Sequence, residues 1–168
     1  MKELILIRHA KSDWGTEFLK DIDRHLNERG YSDAYLLSAW YLKTQISPEL
    51  ILSSTATRAL NTALIFARAL DLDMTNFVMD KNIYESTATK LLSILKKQDD
   101  KKKSIMLFGH NPGITNLCND LCKDVFFENI PTCGIVSLKF DTRCWEDIKE
   151  ENAKLNYHQF PKDYKNSN

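Results

Sequence analysis

Two arginines and two histidines, Arg8, His9, Arg58 and His110, draw attention because each falls at or just beyond the end of a short apolar run. Together they have the makings of a phosphoryl-transfer site. A phosphate carries two negative charges and several acceptor oxygens, and a guanidinium offers a planar fork of donors that stays charged at any working pH. Arg8 and Arg58 would grip the phosphoryl oxygens and offset charge in the transition state. A neutral imidazole can attack phosphorus and carry the group covalently. Its ordinary pKa of about 6.5 leaves much of it neutral near pH 7, and neighbouring arginines push that value down. His9, at the rigid end of a strand, is the expected nucleophile. His110 is the expected electrostatic partner or proton donor.

Singly, each residue has a plainer reading. A strand-end histidine is commonly a hydrogen-bonded structural residue, and an arginine on a helix is commonly a solvated charge. Four of them at independent strand–helix junctions make the plain reading weak. Two histidines also suggest a metal site, but arginines would repel the cation and no H-x-x-x-H or carboxylate cluster accompanies them. No metal or cofactor is expected. The P-loop pattern G-x-x-x-x-G-K-[ST] is absent, so nothing points to ATP.

The elements that must position these groups can be read from hydrophobic patterning. Glu3 to Ile7 is a continuous apolar run, as a strand buried on both faces requires. Lys11 to Arg24, with Gly15 and three aspartates, reads as a loop. Asn27 is placed to cap a helix running to about Thr44, with Tyr31, Ala34, Tyr35, Ser38, Tyr41 and Leu42 as its inner stripe. Leu50–Leu52 reads as a short strand. Thr55 opens a second helix with Ala59, Ala63, Phe66, Ala67 and Leu70 on one face.

Asn76 to Met79 reads as another short strand. Thr87 is a cap for a third helix over Ala88, Leu91, Leu92 and Leu95. Asp99 to Lys103 reads as a solvated turn. Ser104–Phe108 is the next strand, and Asn111-Pro112 reads as a cap residue followed by proline at the first helical position. Ile114, Leu117, Cys118 and Leu121 form the inner face of that helix. Ile135 to Phe140 reads as the last strand, with a polar, mobile tail from about 157.

Alternating strands and helices imply an α/β fold, a three-layer α/β/α sandwich with a mostly parallel sheet, in one domain over residues 1–168. Ligands on such sheets bind beyond the carboxyl ends of the strands. That rule delivers Arg8, His9, Arg58 and His110 to one edge. Helix N-termini after Ser54 and Asn111 add backbone N–H donors there.

The composition narrows the partners. Lys+Arg and Asp+Glu are both 23, giving zero formal net charge, so no global field favours nucleic acid or a membrane surface. No apolar run approaches the ~20 residues needed to span a bilayer, and the opening residues are too short of apolar length for a signal peptide. Cys118, Cys122, Cys133 and Cys144 fit no paired zinc framework and read as reduced, packed thiols. The expectation is a cytoplasmic monomer whose partner is a phosphorylated protein or a small phosphorylated substrate.

Arg8-His9-Ala10-Lys11-Ser12, Ser53-Ser54-Thr55-Ala56-Thr57-Arg58-Ala59 and Gly109-His110-Asn111-Pro112 together resemble the histidine phosphatase superfamily. Asp23-Arg24, Leu26 to Gly30, Asp33-Ala34, Pro131-Thr132 and Pro161 to Asp163 extend the resemblance over nearly the whole chain in order, and it is nearest to the small phosphohistidine phosphatase (SixA-type) branch. The resemblance implies a phosphoglycerate mutase-like fold and a metal-independent reaction. It makes His9 the phosphorylated nucleophile, with Arg8, Arg58 and His110 completing the phosphate pocket and Asn111 beside it. Thr55 and His25 stand where relatives often have proline, and neither change removes a catalytic group. Glu85 lies about where relatives place an acidic general acid; a helix-start carboxylate is an equal alternative. Three readings follow: a protein phosphohistidine phosphatase, a phosphatase of small metabolites, or a phosphate-binding module without turnover.

Overall fold

A computed structural model describes residues 1–14 and 17–166, so Gly15 lies outside the described residues. Six strands form one sheet in the order β3-β2-β4-β1-β5-β6. They are β1 (Lys2–Arg8), β2 (Leu50–Ser53), β3 (Phe77–Met79), β4 (Ser104–Gly109), β5 (Ile135–Phe140) and β6 (Ala153–Gln159). β1 to β4 run parallel to one another; β5 pairs antiparallel with β1, and β6 pairs antiparallel with β5 at the edge, so β5 alone runs against the rest. The sheet is therefore mostly parallel, as expected.

Five helices accompany it among the described residues: α1 (Glu28–Thr44), α2 (Thr57–Ala69), α3 (Ala88–Lys96), α4 (Gly113–Leu121) and α5 (Pro161–Asn166). The continuous apolar run of β1 is divided between two cores. Leu4 and Leu6 face a cluster with Leu91 and Leu95 of α3 and Ile114, Leu117 and Leu121 of α4. Ile5 and Ile7 face the opposite cluster with Leu37 and Tyr41 of α1 and Ala63 and Phe66 of α2. β4 repeats the division, with Ile105 and Leu107 on the first side and Met106 and Phe108 on the second. A period of two on strands that are covered on both sides gives the three layers.

Several local expectations meet the structure directly. Asn27 accepts from Gly30 N at 2.9 Å, and Thr87 accepts from Lys90 N at 3.3 Å, so both cap their helices. Others are corrected. The α1 stripe is rotated: Leu37 is buried, whereas Tyr35 and Leu42 are 60% and 52% exposed. α2 begins at Thr57 rather than Thr55, with Ser54 Oγ accepting from Ala56 N at 3.2 Å. Pro112 precedes the first residue of α4, and the Asn111 side chain caps from one position farther back by accepting from Thr115 N at 3.3 Å. Ile135–Phe140 is not the last strand. Residues 153–159 form the edge strand β6, and α5 follows, held to α1 by Lys165 Nζ donating to Asp33 Oδ1 at 2.6 Å.

The loop after β1 is fixed where it matters. A Cβ on Gly30 would stand 2.0 Å from the Lys11 carbonyl oxygen, so only glycine lets α1 start against this loop. Asn27 N donates to that same oxygen at 3.0 Å, and Ser12 pairs with Leu26 in an isolated bridge. No helix among the described residues is long and apolar enough to cross a membrane.

Candidate active site

His9 is the first residue beyond β1. Its backbone N–H donates to Gly109 O at 3.0 Å, and Cys133 N donates to the carbonyls of both Arg8 and His9. The strand end is thus held by β4 on one side and by the 130–134 turn on the other. The ring is oriented by Nδ1–H donating to Ala10 O at 2.7 Å. That bond places the remaining lone pair on Nε2, the tautomer needed for attack on phosphorus. Only 8% of His9 is exposed, and burial lowers its pKa to about 3, with His110, Arg58 and Arg8 pushing the same way. The nucleophile is neutral throughout the physiological range.

His110 follows β4 and sits with its ring 5.2 Å from that of His9. Its Nε2 meets Ser54 Oγ at 2.8 Å, and that oxygen also accepts the Ala56 N–H. The Ser54 hydroxyl can donate to Nε2 while accepting from Ala56, an arrangement in which the imidazole proton sits on Nδ1. Nδ1 is buried and has no protein partner. Burial, then Arg58, lowers the pKa of His110 to about 4, so it acts as a neutral hydrogen-bond donor and not as a cation.

The arginines are held in an unexpected way. Arg58 donates through Nη1 to Asp21 O at 2.7 Å and through Nη2 to Asp21 Oδ2 at 3.0 Å. Arg24 donates to Asp21 Oδ1 at 3.1 Å and to Ser12 Oγ at 2.7 Å. Arg8 Nη1 donates to Ile130 O at 3.0 Å. In all three the Nε atom is buried without a partner. Unsatisfied buried donors are costly and rare, and their convergence on one site marks a place for an oxygen-rich anion. The terminal nitrogens of all three fasten the guanidiniums to the protein around the cavity they line.

One cavity of about 150 Å³ collects these groups: Arg8, His9, Arg24, Arg58, His110 and Asn111, with Lys11, Ser12, Trp14 and Thr132. Five of the six residues expected from sequence come together there. Asn111, however, is fully engaged. Its Nδ2 donates to Asn129 Oδ1 and Ile130 O, and its Oδ1 accepts from Thr115. Its side chain braces the turn that also holds Arg8, while the residue remains part of the cavity lining.

Glu85 does not line the His9 cavity. It is exposed, with φ of 50°, in an adjoining cleft of about 260 Å³ that shares His110 and Asn111. Gly113 lets the two walls of that cleft meet, since a Cβ there would stand 2.2 Å from Ser86 O. Sequence reading missed Asp21, Arg24 and Tyr84 as parts of the site. Tyr84 donates to Asp21 Oδ2 at 2.6 Å and sets its ring edge against His110, with 5.5 Å between ring centroids. The Tyr84 bond, then Arg58 and Arg24, holds the Asp21 carboxyl below the usual range against the opposing effect of its burial, so it remains ionised as a tether. The Asp23-Arg24 match was the one signal in the sequence; Asp21 and Tyr84 had none.

The arrangement can bind a phosphoryl group among cationic edges and a neutral donor, and can attack it from below with His9 Nε2. A family profile described as Histidine phosphatase superfamily (branch 1) matches residues 4–85. An uncharacterized chloroplastic protein of Arabidopsis thaliana is 31% identical over 154 residues, which cover 87% of this chain and 70% of that protein. The chain belongs to the histidine phosphatase superfamily. Among solved structures, SixA from Agrobacterium tumefaciens superposes on this histidine phosphatase with a TM-score of 0.78 at 26% identity, covering 95% of this chain and 99% of the other. The protein histidine phosphatase SixA complexed with tungstate reaches a TM-score of 0.82 at 19% identity, covering 96% and 99%. The fold is phosphoglycerate mutase-like and the similarity is to the SixA-type branch.

Proposed function

We propose that this histidine phosphatase removes the phosphoryl group from phosphohistidine in proteins, through a covalent intermediate on His9. The supporting observation is that none of the described residues lining the His9 cavity is a carboxylic acid. An alkyl phosphate must expel an alkoxide and needs a proton donor in the transition state. Glu85 is outside the cavity, Asp21 is held ionised, and His110 is neutral. Phosphohistidine has no such need. With its ring protonated on the second nitrogen, the P–N bond can break with its electron pair going to nitrogen, and neutral imidazole departs.

The same logic covers the enzyme's own half of the reaction. His9 attacks through Nε2 while Nδ1–H stays bonded to Ala10 O. The phosphorylated ring is then cationic. When water attacks phosphorus, the Nε2–P pair returns to Nε2 and His9 leaves neutral, with the water's protons remaining on the phosphate. Ala10 O holds one proton in place through both steps. The cationic arginines and His110 that line the cavity stabilise the transferring group. No residue has to deliver a proton to a leaving group, which matches a substrate whose leaving group is also imidazole.

The reading goes with a reaction that uses no metal or cofactor, and we propose a cytoplasmic monomer. Its test is a turnover screen of phosphohistidine-bearing proteins against sugar phosphates and other alkyl phosphates. Higher kcat/KM for phosphohistidine is expected. A sugar phosphate turned over far faster than any phosphohistidine protein would overturn the substrate.

A further inference from the structure

Trp14 is the odd member of the cavity. The floor is formed by His9, Arg58 and His110, which are 8%, 6% and 8% exposed, whereas Trp14 is 88% exposed. A large aromatic ring left in water is costly, and this one is held at the mouth of a polar anion site. Its position is not casual. The Arg24 guanidinium lies over the ring, with Cζ 4.8 Å from the centroid, and Arg24 is itself tied to Ser12 and Asp21. The contact fixes the ring plane from one side. Among the described lining residues, Trp14 alone offers a broad apolar face.

In-line displacement decides what can lie at that face. The nucleophile and leaving group sit on opposite sides of the transferring phosphoryl group. His9 attacks from the buried floor, so the leaving group must point out through the mouth, beside Trp14. Arg24 covers one ring face, and the exposure of the residue leaves the rest of it open to whatever enters there.

Building on the phosphohistidine reading above, we propose that Trp14 is the specificity platform for the leaving group, stacking against the planar imidazole of a protein's phosphohistidine. Flat aromatic rings gain from offset stacking beyond area burial, and a protonated phosphoimidazole adds a cationic partner for the indole face. Stacking would hold the ring in the orientation in which the P–N bond breaks toward solvent. An alkoxide or carboxylate leaving group at the same place gains none of this.

The test compares a phosphohistidine peptide with acetyl phosphate, whose acetate leaving group also needs no acid but is not aromatic. Wild type, Trp14→Ala and Trp14→Phe are compared by the ratio of their kcat/KM values on the two substrates. Trp14→Ala should lower the peptide-to-acetyl phosphate ratio about tenfold, and Trp14→Phe should keep it within about threefold of wild type. Equal proportional losses on both substrates would overturn the proposal, since they would mean that Trp14 acts by holding Arg24. Unchanged kcat/KM values on both substrates in Trp14→Ala would also overturn it, leaving the phosphohistidine reading intact. A wild type that hydrolyses acetyl phosphate but not the peptide would instead defeat the substrate reading, and this inference with it.

Discussion

Replacing Arg58 separates charge from geometry at the heart of the site. The side chain is 7% exposed and bonded twice to Asp21, with its Nε aimed at no protein group. Arg58→Ala removes one preorganised cationic edge from the phosphoryl group. By the measured cost of losing a single such donor, kcat should fall on the order of 10²- to 10³-fold, about 3–4 kcal/mol. Stability should fall as well. Two charge-assisted bonds to Asp21 are lost, but Asp21 is 47% exposed and keeps Arg24 and Tyr84, so solvent screening limits the cost to about 1–2 kcal/mol. That corresponds to a Tm lower by about 3–6 °C. Arg58→Lys should recover only about tenfold of the lost rate, because one ammonium cannot bond both Asp21 oxygens and still face the phosphate. Steady-state kinetics on acetyl phosphate, with thermal melts of all three proteins, provide the measurement. A folded Arg58→Ala variant with kcat within threefold of wild type, or an Arg58→Lys variant equal to wild type, would refute the reasoning.

Glu85→Gln should change phosphohistidine and alkyl phosphate turnover by less than about threefold, because the carboxylate lies outside the His9 cavity; a large loss confined to alkyl phosphates in parallel assays would make it the general acid. The buried histidines make the fold acid-sensitive. Their folded pKa values of about 3 and about 4 lie below the ordinary value, so the unfolded chain binds more protons as pH falls below about 6.5. Stability contributed by their neutral forms is whole above that pH and declines toward pH 4, by up to about 1.4 kcal/mol per unit for each histidine. His9→Asn should remove one of these slopes in urea unfolding measured from pH 7 to 5; equal slopes in variant and wild type would contradict it. Activity should survive EDTA and dialysis; loss reversed by a divalent ion would contradict the metal-independent reading.

How much of this was legible in the sequence follows from where each residue sits. Arg8, His9 and His110 end apolar runs that can only be strands covered on both faces, so the rule for parallel sheets placed them together. Arg58 stands on a helix whose inner face, Ala59, Ala63, Phe66 and Ala67, is strictly periodic. Asp21 lies in a 3-10 turn and Tyr84 just after another, where no periodicity exists to place a residue. Their roles depend on a loop and a turn 63 residues apart meeting over Arg58. β6 was hidden because its outer residues are polar or half-exposed, as an edge strand permits. The α1 stripe held at Ala34, Ser38 and Tyr41 but took the exposed Tyr35 and Leu42 for core, and it passed over Gly30 and Leu37, the first of which is buried because α1 starts against the loop after β1.

The central claim is that phosphate passes through His9 Nε2. Wild-type enzyme should be mixed with a 32P-labelled phosphohistidine peptide, quenched within milliseconds in alkali and digested for mapping. The label should sit on His9, survive alkali, disappear in acid, and be absent from His9→Ala together with nearly all turnover. Label on His110, Ser12, Ser53 or Ser54, or full turnover by His9→Ala, would contradict the account.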